Sequence, residues 1–257
     1  MRRRILNNKP LIEAIFELRW GLQDQAQGIK VDPDYKILIG RIYDRVNEEY
    51  SYREQLPTAM IPDEMAGYVV QHRFRKDKDK WPLIQIGPGI ITLNDTEGYV
   101  WNDFEERISK VVDNLFEAYP NAEDNLKVKG LILRYIDAIG FNYEEEDLFD
   151  FLKKQMKMNV EMHEKLFDDT GVVKLPLGID LSFSFQSSKP IGTVHLRFAR
   201  GKRKDNDILI WETQVQSIQD DCPKVKEDIV GWVSEAHKLT DDWFFKIIEG
   251  ELLKRFE

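Results

Sequence analysis

Charged side chains of both signs cluster in the first strand-like segment of the chain, where they could hold a metal ion together with a phosphate group. From Leu11 to Trp20 apolar and polar residues alternate, which is typical of a strand covered on one face. Glu13, Glu17 and Arg19 share the face that this alternation leaves uncovered. Carboxylates beside a guanidinium group can bind a metal–phosphate ligand, and they can equally neutralise one another. We favour an ion-pair network.

A fourth member of this cluster comes from the second half of the chain. The segment Leu133-Arg134-Tyr135 matches Leu18-Arg19-Trp20 in residue type and order. We therefore predict that Arg134 occupies the strand position that Arg19 has in the first half. The candidate polar cluster of the sheet face is Glu13, Glu17, Arg19 and Arg134. Apolar residues on the same face (Ile15, Ile132 and Ile136) make it a candidate contact surface.

Basic residues concentrate near two predicted hairpin tips and form a candidate phosphate-binding surface. These residues are Arg73, Arg75 and Lys76 in the first hairpin and Arg197, Arg200, Lys202, Arg203 and Lys204 in the second. If a pseudo-twofold axis related the two tips, they would flank one surface and could contact backbone phosphates. The alternative is that both tips are simply solvated, because Asp77, Asp79 and Asp205 dilute their charge. We favour the solvated interpretation.

The usual markers of an enzyme are missing from the sequence. Gly87-Pro88-Gly89 lacks the Gly-Lys-Ser/Thr of a phosphate loop, and Pro88 removes an N–H that such a loop needs. The four histidines (His72, His163, His195 and His237) do not pair at metal-ligand spacing, and Cys222 is the only cysteine. No Gly-x-Ser-x-Gly elbow is present. We predict no metal, no cofactor and no catalytic residue.

The elements that must position these residues follow the same order twice. Residues 1–120 and 121–257 each read as strand, helix, three or four strands, helix, which predicts two fused pseudo-repeats in one compact domain. This is the order of elements in TATA-binding-protein-like halves. The predicted fold class is α+β, with a mainly antiparallel sheet covered by helices on one face.

Composition and charge limit the class of protein and the cellular compartment that we expect. Its 257 residues include 42% hydrophobic ones, so a sizeable core can form. A net charge of −9 argues against a protein that coats duplex DNA. No apolar run is long enough to span a membrane, and polar Asn7, Asn8 and Lys9 stand where a signal peptide would be apolar. With a single cysteine, these features lead us to expect a cytoplasmic protein without a membrane partner.

Three stretches of the chain resemble a sporadically distributed family of uncharacterised bacterial proteins. They are Lys9-Pro10-Leu11-Ile12-Glu13-Ala14 with Glu17-Leu18-Arg19-Trp20, then Gly98-Tyr99-Val100-Trp101 with Phe104, then Leu133-Arg134-Tyr135-Ile136-Asp137. The resemblance covers most of the chain and implies no activity. The family's patchy distribution implies mobile genes, such as defence or toxin–antitoxin loci.

Together these features predict a non-catalytic binding or regulatory module. Its partner would be another protein, a second copy of the chain or a nucleic acid. The alternative is a phosphate- or nucleotide-processing enzyme that uses Glu13, Glu17, Arg19 and Arg134 on the uncovered sheet face. The missing nucleophile, metal and nucleotide motifs favour the binding module.

Overall fold

The computed structural model describes residues 6–25, 28–96 and 98–257 and shows a nine-stranded antiparallel sheet. In spatial order its strands are β4 (Tyr52–Gln55), β5 (His72–Arg75), β6 (Leu83–Gly87), β7 (Ile90–Asp95), β1 (Leu11–Trp20), β8 (Val128–Gly140), β11 (Asn206–Ile218), β10 (Ile191–Arg203) and β9 (Asp180–Ser188). The short strands β2 (Gln23–Asp24) and β3 (Lys30–Val31) form a separate pair. The predicted α+β class and antiparallel sheet are confirmed.

Six helices are present among the described residues. They are α1 (Tyr35–Val46), α2 (Trp101–Ala118), α3 (Ala122–Asn125), α4 (Leu148–Gln155), α5 (Lys226–Ile247) and α6 (Glu251–Lys254). Helix α2 ends where the sequence predicts, because Tyr119 precedes a proline and takes an extended conformation. Helix α4 is shorter than its apolar spacing suggests, since Lys157 just beyond it has a left-handed backbone with φ of 54°.

The hydrophobic core lies on one face of the sheet. The alternation places Ile12, Ala14, Phe16, Leu18 and Trp20 on one face of β1, and the last four are fully buried. Ile12 is only partly buried, because the register of β1 shifts between Leu11 and Glu13. The four buried residues pack with the apolar faces of α1, α2 and α5. A second cluster continues the core over β10 and β11 with α4 and α6. Burial of each such large side chain stabilises the fold by roughly 1.5–3 kcal/mol.

The opposite face of the sheet, here called the open face, contributes no side chain to either core cluster in the described residues. Its members follow from the register, because residues paired across antiparallel neighbours point to the same side. Glu17 lies between Thr92 of β7 and Ile132 of β8, while Ile15 lies between Asn94 and Arg134. Apart from Arg203 next to the β10–β11 turn, the charged members from β4 to β9 are Glu54, Arg73, Arg75, Glu13, Glu17, Arg19, Arg134, Glu212, Arg197 and Asp180.

Candidate functional site

The four residues of the predicted polar cluster share the open face, but they bind different neighbours. Glu17 and Arg19 form an ion pair of 2.6 Å within β1. Arg134 lies 3.7 Å from Glu212 of β11, a residue that the sequence analysis did not include. Glu13 instead accepts a hydrogen bond of 2.8 Å from the side-chain amide of Asn94. The cluster is thus a set of separate pairs and does not converge on one reacting centre.

A chain of hydrogen bonds extends this network across four strands. Arg73 Nε donates to the Gln85 side-chain oxygen at 2.6 Å. The Gln85 amide then donates to Thr92 Oγ1 and to Asn94 Oδ1, each at 3.2 Å. Asn94 completes the chain by donating to Glu13. This part of the open face is a rigid polar surface with its hydrogen bonds satisfied internally.

Half of the candidate phosphate-binding residues are already engaged with carboxylates. Arg73 and Arg75 both approach Glu54, at 3.9 and 3.7 Å, and Arg75 is only 8% exposed. Arg197 makes a bidentate ion pair with Asp180, at 2.9 and 2.8 Å.

On the helix-covered side of the sheet, Arg200 makes the same kind of bidentate pair with Asp207, at 3.0 and 2.7 Å, over the ring of Tyr143. Four exposed cations remain without an ion pair to any described residue, and these are Lys76, Lys202, Arg203 and Lys204.

The two basic tips lie at the same end of the sheet. Strands β5 and β10 are separated by six antiparallel steps, so they run in the same direction and their turns meet one edge. Five strand spacings of about 4.8 Å place the tips about 24 Å apart. A twofold axis between β1 and β8 would carry the β5–β6 hairpin onto the β9–β10 hairpin. Such an axis would not relate the two basic tips to each other.

A cavity of about 230 Å³ lies on the helix-covered face, at the same end of the sheet. Its floor is formed by β8 and β11, with Tyr135, Asp137 and Thr213. Helix α5 contributes a stripe at spacings of three and four residues, from His237 to Phe244. The remaining walls come from the segment before β1 and from the start of α2: Leu6, Lys9, Pro10, Leu11, Tyr99, Val100 and Trp101.

Aromatic and hydroxyl groups are ordered against one another in this cavity. The Tyr135 hydroxyl lies 3.0 Å from the Tyr99 hydroxyl and 3.1 Å from Nδ1 of His237. The rings of Trp101 and His237 stack, with centroids 3.6 Å apart and an interplanar angle of 12°. Desolvation raises the pKa of Tyr135 well above its ordinary value, so its hydroxyl keeps its proton.

Asp137 is the most unusual group of the cavity. Its side chain points to the helix-covered face of β8 and is 4% exposed. Among the described residues none donates a hydrogen bond to its carboxylate. Burial raises the pKa of Asp137 to about 8, because the charged form loses its hydration without gaining a partner. A buried acid with a raised pKa in a cavity marks a candidate binding site.

The sequence contained one signal for this cavity that motif searching did not use. All three stretches on which the family resemblance rests reach its wall, through Lys9-Pro10-Leu11, Tyr99-Val100-Trp101 and Tyr135 with Asp137. His237, which the sequence assigns to the surface or the core, joins them from α5. Only the fold shows that these separated segments meet.

Two kinds of feature are absent from the part of the chain that the structure describes. Within residues 6–25, 28–96 and 98–257, no group of three or more His, Cys, Asp or Glu side chains is arranged to hold a metal ion. None of the helices in those ranges is long and apolar enough to cross a membrane.

No protein-family model matches this chain, and no curated protein matches it. The resemblance to the sporadically distributed bacterial family therefore stays a prediction, and function has to be inferred from the two surfaces described above.

Proposed function

We propose that the protein is a non-catalytic binding module that uses its open face to contact another protein surface. The observation that supports this most directly is the balance of charge on that face. Outside the hairpin tips it carries five arginines and five carboxylates, and nearly all of them are paired within the face. A nucleic acid would meet guanidinium groups that are already neutralised, whereas a protein surface of mixed charge fits them.

The size of the open face agrees with a specific protein interface. Eight strand spacings of about 4.8 Å make it about 38 Å wide, and its central residues cover about 20 Å along the strands. The product is a footprint on the order of 800 Å², comparable with what one partner contributes to a standard interface. Ile15, which the sequence offers as contact surface, is only 6% exposed on this face, so the contact would be made mainly by the charged side chains. We propose a second copy of this chain as the partner, because equal numbers of both charges make the face complementary to itself.

Carboxyl footprinting at increasing protein concentration tests this assignment. We expect labelling of Glu13 and Glu212 on the open face to fall as the concentration rises, because the second copy would shield them. Exposed Asp220 lies in the turn that follows β11, outside the strands of the sheet, and serves as the internal control. Labelling of Glu13 and Glu212 that stays parallel to that of Asp220 would contradict the proposal.

A second candidate function is backbone-phosphate binding by the two basic tips. It is favoured by one observation, since four exposed cations without ion pairs lie at the same end of the sheet. The ligand would have to bridge about 24 Å, which corresponds to five strand spacings. A duplex of 20 base pairs titrated at several salt concentrations tests this candidate, and absence of binding at about 50 mM salt would exclude it.

The enzymatic alternative receives less support from the geometry. A general base or a metal ligand needs a free carboxylate, whereas Glu17 is paired with Arg19 and Glu13 is bonded to Asn94. We expect no turnover of phosphomonoesters, phosphodiesters or nucleotides by the purified protein. Turnover that disappears in Glu17→Gln, with the fold unchanged, would overturn the binding proposal and establish the enzyme.

We also propose that residues 1–120 and 121–257 descend from one duplicated unit. Two observations support this origin. The order strand, helix, strands, helix occurs twice, as β1-α1-β4-β5-β6-β7-α2 and as β8-α4-β9-β10-β11-α5. Arg19 and Arg134 both point to the open face, while Trp20 and Tyr135 both point to the helices. The longer β10–β11 hairpin distinguishes the second unit, and the TATA-binding-protein-like order belongs to this proposal.

A further inference from the structure

We propose that the cavity between β8, β11 and α5 binds a compact organic cation, an amine or quaternary ammonium compound with an apolar or aromatic body. Its volume is about 230 Å³. A cavity of about 150 Å³ in another protein accommodates benzene, so this one has room for a benzene ring with a short charged arm. The cavity lies on the helix-covered side of the sheet, so ligand binding there does not depend on what the open face binds.

Aromatic side chains supply the walls that such a ligand requires. Tyr99, Trp101, Tyr135 and Phe244 line the cavity from three different elements. The electron-rich face of an aromatic ring attracts a cation, most strongly when water is excluded. Stacking on His237 holds the ring of Trp101 in place, which lowers the entropy that binding has to overcome.

Asp137 supplies the complementary charge. It lies in the floor with no hydrogen-bond donor from the described residues, although a buried carboxylate requires one. A ligand ammonium group would provide both the positive charge and the missing N–H.

Of the charged groups that the structure describes around Asp137, none donates a hydrogen bond to it. The ammonium group of Lys9, from the segment before β1, donates a hydrogen bond of 2.6 Å to the backbone carbonyl of Tyr99. Tyr135 and His237 are within hydrogen-bond distance of each other, and β11 contributes only the neutral Thr213. Asp137 is thus a buried acid whose ionisation would be coupled to the arrival of a cation.

This coupling gives the proposal a measurable signature. Because burial raises the pKa of Asp137 to about 8, most molecules carry the neutral acid at pH 7. A bound cation favours the carboxylate, so binding releases a proton. A neutral ligand that accepted a hydrogen bond from the acid would release none.

The experiment compares three probes of nearly the same shape: 2-phenylethylammonium, 2-phenylethanol and phenylacetate. Calorimetric titration in two buffers of different ionisation enthalpy gives both the affinity and the number of protons released. We expect the cation to bind at least about 10-fold more tightly than the alcohol, and the anion to bind most weakly. Proton release should be about 0.9 per ligand at pH 7 and below about 0.3 at pH 8.5.

Asp137→Asn provides the matched variant, because the amide keeps the shape and cannot ionise. It should bind cation and alcohol with affinities within about 3-fold of each other and release no proton. Asp63→Asn, which changes an exposed carboxylate outside both the cavity and the open face, should behave like the wild type. The proposal is overturned if the alcohol binds as tightly as the cation, if the wild type releases no proton, or if none of the probes binds at about 10 mM.

Discussion

Arg134 and Tyr135 are neighbours in β8, and their side chains connect the two surfaces of the protein. Arg134 points to the open face and lies 3.7 Å from Glu212, while Tyr135 points to the cavity and lies 3.1 Å from His237. One strand therefore contributes to both candidate sites. A change of partner at either surface would act on the same stretch of backbone, which offers a direct route for coupling between them.

Asp137→Asn should stabilise the protein increasingly as the pH rises. The pKa of Asp137 is about 8 in the folded chain and near 4 in the unfolded one, so the folded state holds the extra proton between these values. The contribution of wild-type Asp137 to the free energy of unfolding is fully present below about pH 4. It falls progressively as the pH rises from about 4 to about 8. The variant does not have this loss.

Urea unfolding of wild type and Asp137→Asn from pH 4 to pH 8.5 measures this effect. We expect the difference in free energy of unfolding to grow by up to about 1.4 kcal/mol per pH unit in favour of the variant. A difference that does not change with pH would show that Asp137 is ionised in the folded protein.

Asp32 should be the carboxylate whose loss costs most stability. It accepts hydrogen bonds from Trp20 Nε1 at 2.8 Å, from the Tyr119 hydroxyl at 3.2 Å and from two backbone amides. Asp32→Ala leaves the buried indole N–H of Trp20 without a partner, and we expect a loss of about 2–4 kcal/mol.

Asp63→Ala is the control for this variant, because Asp63 is exposed and, among the described residues, forms an ion pair with exposed Lys36 alone. Thermal or urea unfolding should place its loss of stability well below that of Asp32→Ala. Equal losses would mean that the hydrogen bonds around Asp32 contribute little.

Replacing Lys202, Arg203 and Lys204 together by alanine should leave the free energy of unfolding unchanged, since none of the three has an ion pair with a described residue. If the tips bind phosphates, the slope of log K against log salt should fall by about 0.9 for each contact that is lost. Salt-dependent titration of a duplex with wild type and variant measures this. An unchanged slope would show that the β10–β11 tip contacts no phosphate.

The sequence predicted the faces of the strands well, because alternation reports burial directly. Of the five alternate residues that the pattern places on the covered face of β1, all but Ile12 are fully buried, and Arg19 and Arg134 share the open face. Ion pairing among the charges was also the favoured interpretation. The partners were missed, because Glu212 reaches Arg134 only through the β8–β11 pairing, which no local pattern encodes.

Helix ends and the cavity were harder to predict. Asn102 resembles a capping residue, yet α2 begins at Trp101 after Val100 and has no side-chain cap. The rings of Trp101 and His237 are 136 residues apart in sequence and stack in space. A site assembled from five separate segments leaves no spacing that a motif could reveal.

Sedimentation equilibrium of the purified protein at about 5 to 500 µM and about 150 mM salt tests whether the open face binds a second copy of the chain. For the wild type we expect the average molecular mass to rise with concentration and to approach that of two chains. Arg134→Glu should keep the protein monomeric, because it places a third carboxylate beside Glu212 and Glu17. Lys202→Glu makes the same charge change at a hairpin tip, and this variant should still dimerise. A wild-type protein that remains monomeric throughout this range would contradict the claim that the open face binds a second copy.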